Sequence, residues 1–338
     1  MLDTVKELSL LCAPSGREDK VREYIISKIE GKCDYSVDAL GSIIAFKKGR
    51  KPAKHKVMLD SHMDEVGIIV TFINSDGTLK FGTVGGIDTK VILGRQFVFD
   101  NGTVGVAGVK PVHLLQGDEK SKIPDSDSLY IDIGASSKDE AEKRVKIGDT
   151  AVFLSDFTEF GDCKIKGKAL DDRVGCAVLI DMINSELEYD AYFSFSVQEE
   201  IGLRGAGCTA YSIDPDYAIV LETTTAADII DVPEHKKVCK LGEGAAVSFM
   251  DRSTLYSKEL FDTAFEIAGY EGIKIQPKTV IAGGNNAGAV HKSRGGIKTV
   301  TVNTPCRYLH SPSCVCDTRD IGSVRRLAEA LLNKFADD

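Results

Sequence analysis

The 338-residue chain has no tryptophan, so it lacks the ring on which a sugar-binding cleft would stack its ligand. Long apolar runs are also missing. None approaches the ~20 residues that a membrane-spanning helix needs. The first residues, MLDTVKELSLLCAPSG, have no basic start followed by a continuous apolar stretch, so no secretory leader is expected there. Val5, Leu8 and Leu11 fall instead at helical spacing. Positive charge is in deficit: 42 Lys and Arg stand against 51 Asp and Glu, a net charge of −9. That balance argues against a nucleic-acid partner, which favours basic patches. Regularly spaced cysteine pairs are absent as well. Nine cysteines, an odd number at irregular spacing, predict reduced thiols of the cytoplasm rather than a disulfide framework. The tightest group, Cys306, Cys314 and Cys316, reads as free buried thiols, because a structural zinc site wants two well-spaced pairs.

What is present fits a globular α/β protein of one large or two moderate domains. Apolar residues make up 43% and charged residues 28%. The amphipathic stretch 17–29 predicts a helix, 35–47 a hairpin turning at Leu40-Gly41, and 56–59 a short strand. From Ile68 to about Phe160 the pattern changes to short alternating Val- and Ile-rich runs. Turn signals at Ser75-Asp76-Gly77 and Asn101-Gly102 separate them, which predicts a small antiparallel β unit. A helix is expected over 137–145 and an exposed polar loop over 117–128. From about Gly167 helices and strands alternate: helices over 172–183, 257–268 and 319–335, and strands over 192–197, 217–221 and 297–302. The expected fold is a mixed, largely parallel sheet covered by helices. The β unit, residues 67–164, is inserted into a domain made of 1–66 and 165–338.

Five acidic or histidine clusters carry the chemistry: Asp60-Ser61-His62-Met63-Asp64-Glu65, Asp171-Asp172-Arg173, Gln198-Glu199-Glu200, Glu222 and His310. Each alone has an ordinary structural reading, such as a surface pair, a helix cap or a solvated glutamate. Their positions say more. Three follow apolar strands directly and His310 follows one closely, which directs them to the carboxyl edge of one sheet, where open α/β sheets place their ligand crevice. Carboxylates converging there repel one another, and divalent cations resolve that conflict. Two histidines and several carboxylates suit a pair of zinc or cobalt ions. Of Glu199 and Glu200, one can bind metal while the other stays free as general base. An Asp two residues after a histidine can orient the imidazole.

The segments LDSHMDEVG (59–67), GVAGVKPVHLL (105–115), KALDDRVGC (168–176), FSVQEEIGLRGA (195–206) and PCRYLHSP (305–312), in this order, resemble the tetrahedral aminopeptidases, peptidase family 42 of the dinuclear-zinc exopeptidase clan. The resemblance covers nearly the whole chain. It implies a catalytic α/β domain with an inserted β-barrel-like dimerisation domain, and two-metal removal of single residues from the N-terminus of short peptides. It further implies that His62 binds one metal and His310 the other, that Asp171 bridges them, and that Glu200 and Glu222 complete the two ions. Glu199 is then the general base and Asp64 the supporting carboxylate. The choice of Asp171 over Asp172 rests on related clan members, where the pair often has a cis peptide. The sequence departs from the family at Glu222 and at Asn286, where the family commonly has Asp. The loop GGNNAG (283–288), with Gly284 and Asn286, is a candidate substrate contact. The expected partners are peptides and other copies of the chain, in a tetrahedral dodecamer built from dimers, with no nucleic acid or membrane. Alternative readings are a scaffold that keeps the fold without the activity, another dinuclear hydrolase such as a carboxypeptidase or deacylase, and a two-carboxylate glycoside hydrolase. The last does not need the histidines.

Overall fold

The computed structural model describes residues 1–117 and 122–338. Four strands, Ala191–Ser196, Val57–His62, Tyr217–Thr225 and Lys298–Arg307, lie side by side in parallel. They form the centre of an eleven-stranded sheet among the described residues. Antiparallel strands flank them: the hairpin Asp34–Val37 and Ile43–Lys47 on one side, Cys314–Asp317, Lys164–Gly167 and Thr158–Phe160 on the other. The sheet is therefore mixed with a parallel core, as the alternation of elements predicts.

The two-residue period of the strands sorts side chains to two helical layers. Leu59, Ile219, Leu221, Val300 and Val302 share the main core with the apolar faces of Leu170–Asn184 and Thr318–Asp337. Met58, Ala218 and Val220 face the opposite way, onto Ala206, Ala210 and Ile213 of the helix Arg204–Ile213. Both faces are covered, so the central strands read as unbroken apolar runs.

The β-rich insertion closes into a six-stranded antiparallel barrel in the order Gly67–Ile73, Leu79–Val84, Tyr130–Asp132, Val104–Gly108, Gln96–Phe99, Thr150–Phe153. Ile68, Val70, Phe81, Phe97, Phe99, Ile131 and Phe153 fill it as a core separate from the main one.

Several expectations need correction. The 137–145 helix is a single turn, Lys138–Ala141. The chain then turns so that Val145 joins Ala141 in the barrel core. Thr158–Phe160, which the patterning places with the inserted unit, pairs with the large sheet instead. The strands expected to end at 59, 221 and 302 run on to His62, Thr225 and Arg307. Their polar ends stay in the sheet because the parallel pairing continues, as at Glu222 opposite Asn303. Of the loop 117–128, residues 118–121 lie outside the described residues, and Ser126–Ser128 forms a 3-10 turn. All nine cysteines are free, with Cys306, Cys314 and Cys316 buried.

Candidate metal centre

His62 is the last residue of its strand, and Glu222 lies within the neighbouring one. Glu199 and Glu200 follow Ser196 by three and four residues, and His310 follows Arg307 by three. Four of the five sequence clusters thus reach the same carboxyl edge. The helix Leu170–Asn184 brings Asp171 and Asp172 to it from the side, across a cis Asp171–Asp172 peptide. Ala169, Gln198 and His310 hold left-handed φ values of 51°, 58° and 55°. Non-glycine residues at such angles persist where their surroundings dictate them, commonly at functional sites.

The distances resolve two sets of donors. His62 Nε2 stands 3.3 Å from Glu222 Oε1 and 3.4 Å from Asp171 Oδ1. His310 Nε2 stands 3.3 Å from Glu200 Oε2 and 3.4 Å from Asp171 Oδ2. Asp171 offers one oxygen to each histidine. Ligands of one tetrahedral ion with bonds of about 2.0–2.1 Å lie roughly 3.3–3.4 Å apart, so each spacing matches that of two donors on a shared cation.

The other ring nitrogens fix the tautomers. His62 Nδ1 lies 3.1 Å from the Asp64 carbonyl and 3.3 Å from its carboxylate, and His310 Nδ1 lies 2.7 Å from the Gly86 carbonyl. Those neighbours only accept, so each Nδ1 carries a hydrogen, and the ring in its neutral, metal-binding form turns the Nε2 lone pair toward carboxylates. Lone pair against carboxylate is repulsive unless positive charge lies between them. Among the described residues, His62 Nε2, Asp171 Oδ1 and Glu222 Oε2 are indeed buried without a hydrogen-bond partner. These residues fit divalent metal, and His62, Asp171 and Glu200 also come within reach of one ion.

The protonation pattern gives the same answer. Burial pushes Glu200 up to about 8 and Glu222 up to about 7. Burial and the charges of Glu222, Glu200 and Asp171 push Glu199 well above the usual carboxylate range, with His62 opposing. Burial lowers His310, but Asp171 and Glu200 outweigh it and raise the ring to about 10. The cluster gathers protons where it could gather metal, and ligation displaces them.

Asp64 supports the ring of His62 and the loop of both glutamates. Its two carboxylate oxygens accept from the backbone N–H groups of Glu199 at 3.0 Å and Glu200 at 3.1 Å, and one also accepts from Ser15 Oγ at 2.6 Å. Asp172 sits behind Asp171, accepting from Ser61 Oγ, the Gly175 N–H and Thr223 Oγ1. The Glu199 carboxyl has no hydrogen-bond or ion-pair partner among the described residues and lines the cleft. Gly284 also lines the cleft. Asn286 does not. It is buried, and its amide donates at 2.8 Å to both Asp60 and Ser196. It braces the floor behind the site.

Sequence reasoning missed two features. The first is a buried ion cluster of Glu65, Lys168 and Arg173. The second is Lys278 in the cleft wall. Glu65 and Arg173 sit in the quoted motifs, but no local signal marks Lys278.

With this geometry in place, comparison with known proteins is informative. The model of the M42 glutamyl aminopeptidase family matches residues 41–327. The lysyl aminopeptidase of Pyrococcus furiosus is 34% identical, with 93% of this chain and 91% of that one aligned. The solved TET1 peptidase of Pyrococcus horikoshii, described as assembling into a tetrahedron or a large octahedral shell, is 36% identical. The match covers 98% of both chains at a TM-score of 0.85. The TET aminopeptidase of a marine-sediment thaumarchaeon is 35% identical, covering 98% and 95% at a TM-score of 0.93. The chain belongs to the M42 glutamyl aminopeptidase family and is an enzyme of the metallo-aminopeptidase class.

Proposed function

We propose that the protein removes single N-terminal residues from short peptides by two-metal hydrolysis, with Glu199 as general base. The observation that carries this is the sharing of Asp171: one carboxylate oxygen faces His62 and Glu222, the other faces His310 and Glu200. Two divalent cations, zinc or cobalt, would be held by these two sets. When bound they supply Lewis-acid polarisation of the scissile carbonyl and lower the pKa of a coordinated water. Glu199, free of other partners at the cleft wall, takes the proton of the attacking water and passes it to the leaving amine. Asp64 keeps the His62 ring and the Glu199–Glu200 backbone in register for that transfer.

Residues 1–66 and 165–338 form the catalytic domain in this reading, and 67–164 the dimerisation domain. Val104, Val106, Val112 and Leu114 are exposed on the insertion, which supports a contact between copies. The relative that assembles into a tetrahedron or an octahedral shell, and a solved TET1 dodecamer, support the reading of a tetrahedral dodecamer built from dimers. Nine free thiols support a cytoplasmic setting. Among the described residues no helix is long and apolar enough to cross a membrane.

The test is Glu199→Gln. The variant should retain metal at the wild-type stoichiometry and lose at least about 10³-fold in kcat on aminoacyl p-nitroanilides, in line with loss of a general base. Turnover within tenfold of wild type would remove Glu199 from the role.

A further inference from the structure

Glu18 stands at the capping position of the helix Asp19–Ile29, yet its side chain makes no capping bond to that helix. An ordinary cap turns its oxygen to the second or third N–H of the helix it starts. Glu18 is also 3% exposed. A glutamate so buried is expected to sit beside a cation. Among the described residues none lies within ion-pair distance of it. Its Oε1 accepts instead from the Gly16 N–H at 2.7 Å and, from far along the chain, from the Gln198 N–H at 3.1 Å.

The Gln198 N–H is the first of three in a row that end on buried carboxylates. Those of Glu199 and Glu200 go to the two oxygens of Asp64, at 3.0 and 3.1 Å. The turn that carries Glu18 reaches Asp64 as well, through Ser15 Oγ at 2.6 Å. Gln198 holds a left-handed φ of 58°, which in a residue other than glycine persists where the surroundings dictate it. Beyond it, the Glu199 carbonyl accepts from the N–H groups of Gly202 at 2.9 Å and Leu203 at 2.8 Å. The turn that leaves the strand Ala191–Ser196 is thus pinned at each successive peptide.

This pinning bears on chemistry because the Glu199 carboxyl has no partner of its own among the described residues. Its aim into the cleft is set by its main chain. A reacting group displaced by about 1 Å can lose about 100-fold in rate. Asp64 fixes the peptides of Glu199 and Glu200. Glu18 fixes the left-handed residue before them, and it does not itself line the cleft.

We infer that Glu18 is a positioning residue: it holds the turn at Gln198 and thereby aims the Glu199 carboxyl. The inference rests on the reading of Glu199 as general base and adds to it the residue that keeps that base in place.

The test compares Glu18→Gln, Glu18→Asp, Glu199→Gln and the Glu18→Asp, Glu199→Gln double variant on aminoacyl p-nitroanilides. Gln keeps the length and an acceptor oxygen. Asp keeps the charge and is a preferred helix cap, but it is one methylene short of Gln198. Glu18→Asp should lose about 10–100-fold in kcat, with KM within threefold and metal content at the wild-type level. Glu18→Gln should rescue kcat to within threefold of wild type. Amide hydrogen exchange over residues 197–203 should quicken by about tenfold in Glu18→Asp, for the loss of one hydrogen bond, and not in Glu18→Gln. Placed on Glu199→Gln, Glu18→Asp should cost less than threefold, because no base is left to aim. An active Glu18→Asp beside a slow Glu18→Gln is what a helix cap or a required charge gives, and it overturns the inference. So do equal effects of the two substitutions, a Glu18→Asp protein that fails to fold or loses metal, and a full Glu18→Asp loss that persists in the double variant. Glu199→Gln with wild-type turnover removes the general-base reading itself, whatever the Glu18 variants do.

Discussion

Glu65 offers a prediction whose size follows from the surrounding contacts. Its carboxylate accepts from Lys168 Nζ at 2.7 and 2.9 Å, from Arg173 Nη2 at 3.2 Å and from the Ala13 N–H at 3.2 Å. All three ionic side chains are at most 4% exposed. Lys168 also donates to the Leu11 carbonyl and Arg173 to the Leu8 carbonyl, so the cluster fastens the N-terminal segment to the helix Leu170–Asn184. Glu65→Leu leaves two buried cations without their anion. Breaking a buried pair from one side costs about 3–5 kcal/mol. Unfolding entropy of about 2.1 cal/mol/K per residue gives roughly 0.7 kcal/mol/K for this chain, so the melting temperature should fall by about 4–7 °C. Lys168→Met leaves the carboxylate with Arg173 and should cost less than half as much. The double variant should recover part of the Glu65→Leu loss, because one stranded cation is gone. Calorimetry at 0.05 and 0.5 M salt is the assay, and the buried cluster should respond little to the salt. A Glu65→Leu protein melting within 1 °C of wild type, or above Lys168→Met, refutes the reasoning.

Two further outcomes concern stability and the support of the metal site. Asp317 caps the helix Thr318–Asp337 and is bonded by Lys164 at 2.5 Å and Arg319 at 2.7 Å. Burial would raise its carboxyl, but those two cations outweigh it and hold it at about 2, below the ordinary 3.8. Its stabilisation is therefore complete above the unfolded value near 3.8 and is lost as pH falls from there toward 2. Asp317→Asn should cost about 2 kcal/mol at pH 7 and far less at pH 2.5; a loss independent of pH in denaturant titrations contradicts this. Gly175→Ala would ordinarily favour a helix by roughly 1 kcal/mol. Here a Cβ would stand 2.3 Å from Asp172 Oδ2 and 2.7 Å from Ser61 Oγ. The variant should melt lower and, by displacing the support of Asp171, lose about 10–100-fold in zinc affinity in a chelator competition. A more stable variant with unchanged affinity counts against that role for Asp172.

The sequence makes the site more legible than its surroundings. His62, Asp171, Glu200, Glu222 and His310 stand near the ends of apolar strands or at a helix start, and a strand end directs a side chain regardless of details further away. Strand limits are less legible. Glu222-Thr223-Thr224-Thr225 looks like the end of a strand because apolar patterning stops, yet pairing with Lys298–Arg307 carries it on. The Asn286 side chain could not be oriented from the sequence. One turn of helix begins after it and aims the amide inward at Asp60. Lys278 had no signal at all, since what distinguishes it is a neighbourhood assembled from distant segments.

The hydrogen bond from His310 Nδ1 to the Gly86 carbonyl has a consequence for how the protein can be taken apart. Gly86 belongs to the loop that follows the barrel strand Leu79–Val84, while His310 belongs to the turn that follows the sheet strand Lys298–Arg307 at the cleft. An added Cβ at the adjacent Gly85 would meet Glu200 as well. The barrel is thus not a cassette that can be exchanged or deleted at leave. Excising it would free an imidazole to spin about its bond, and substituting a foreign one would require the same carbonyl at the same spot. The insertion and the cleft are therefore coupled at this one bond, even though their hydrophobic cores are separate.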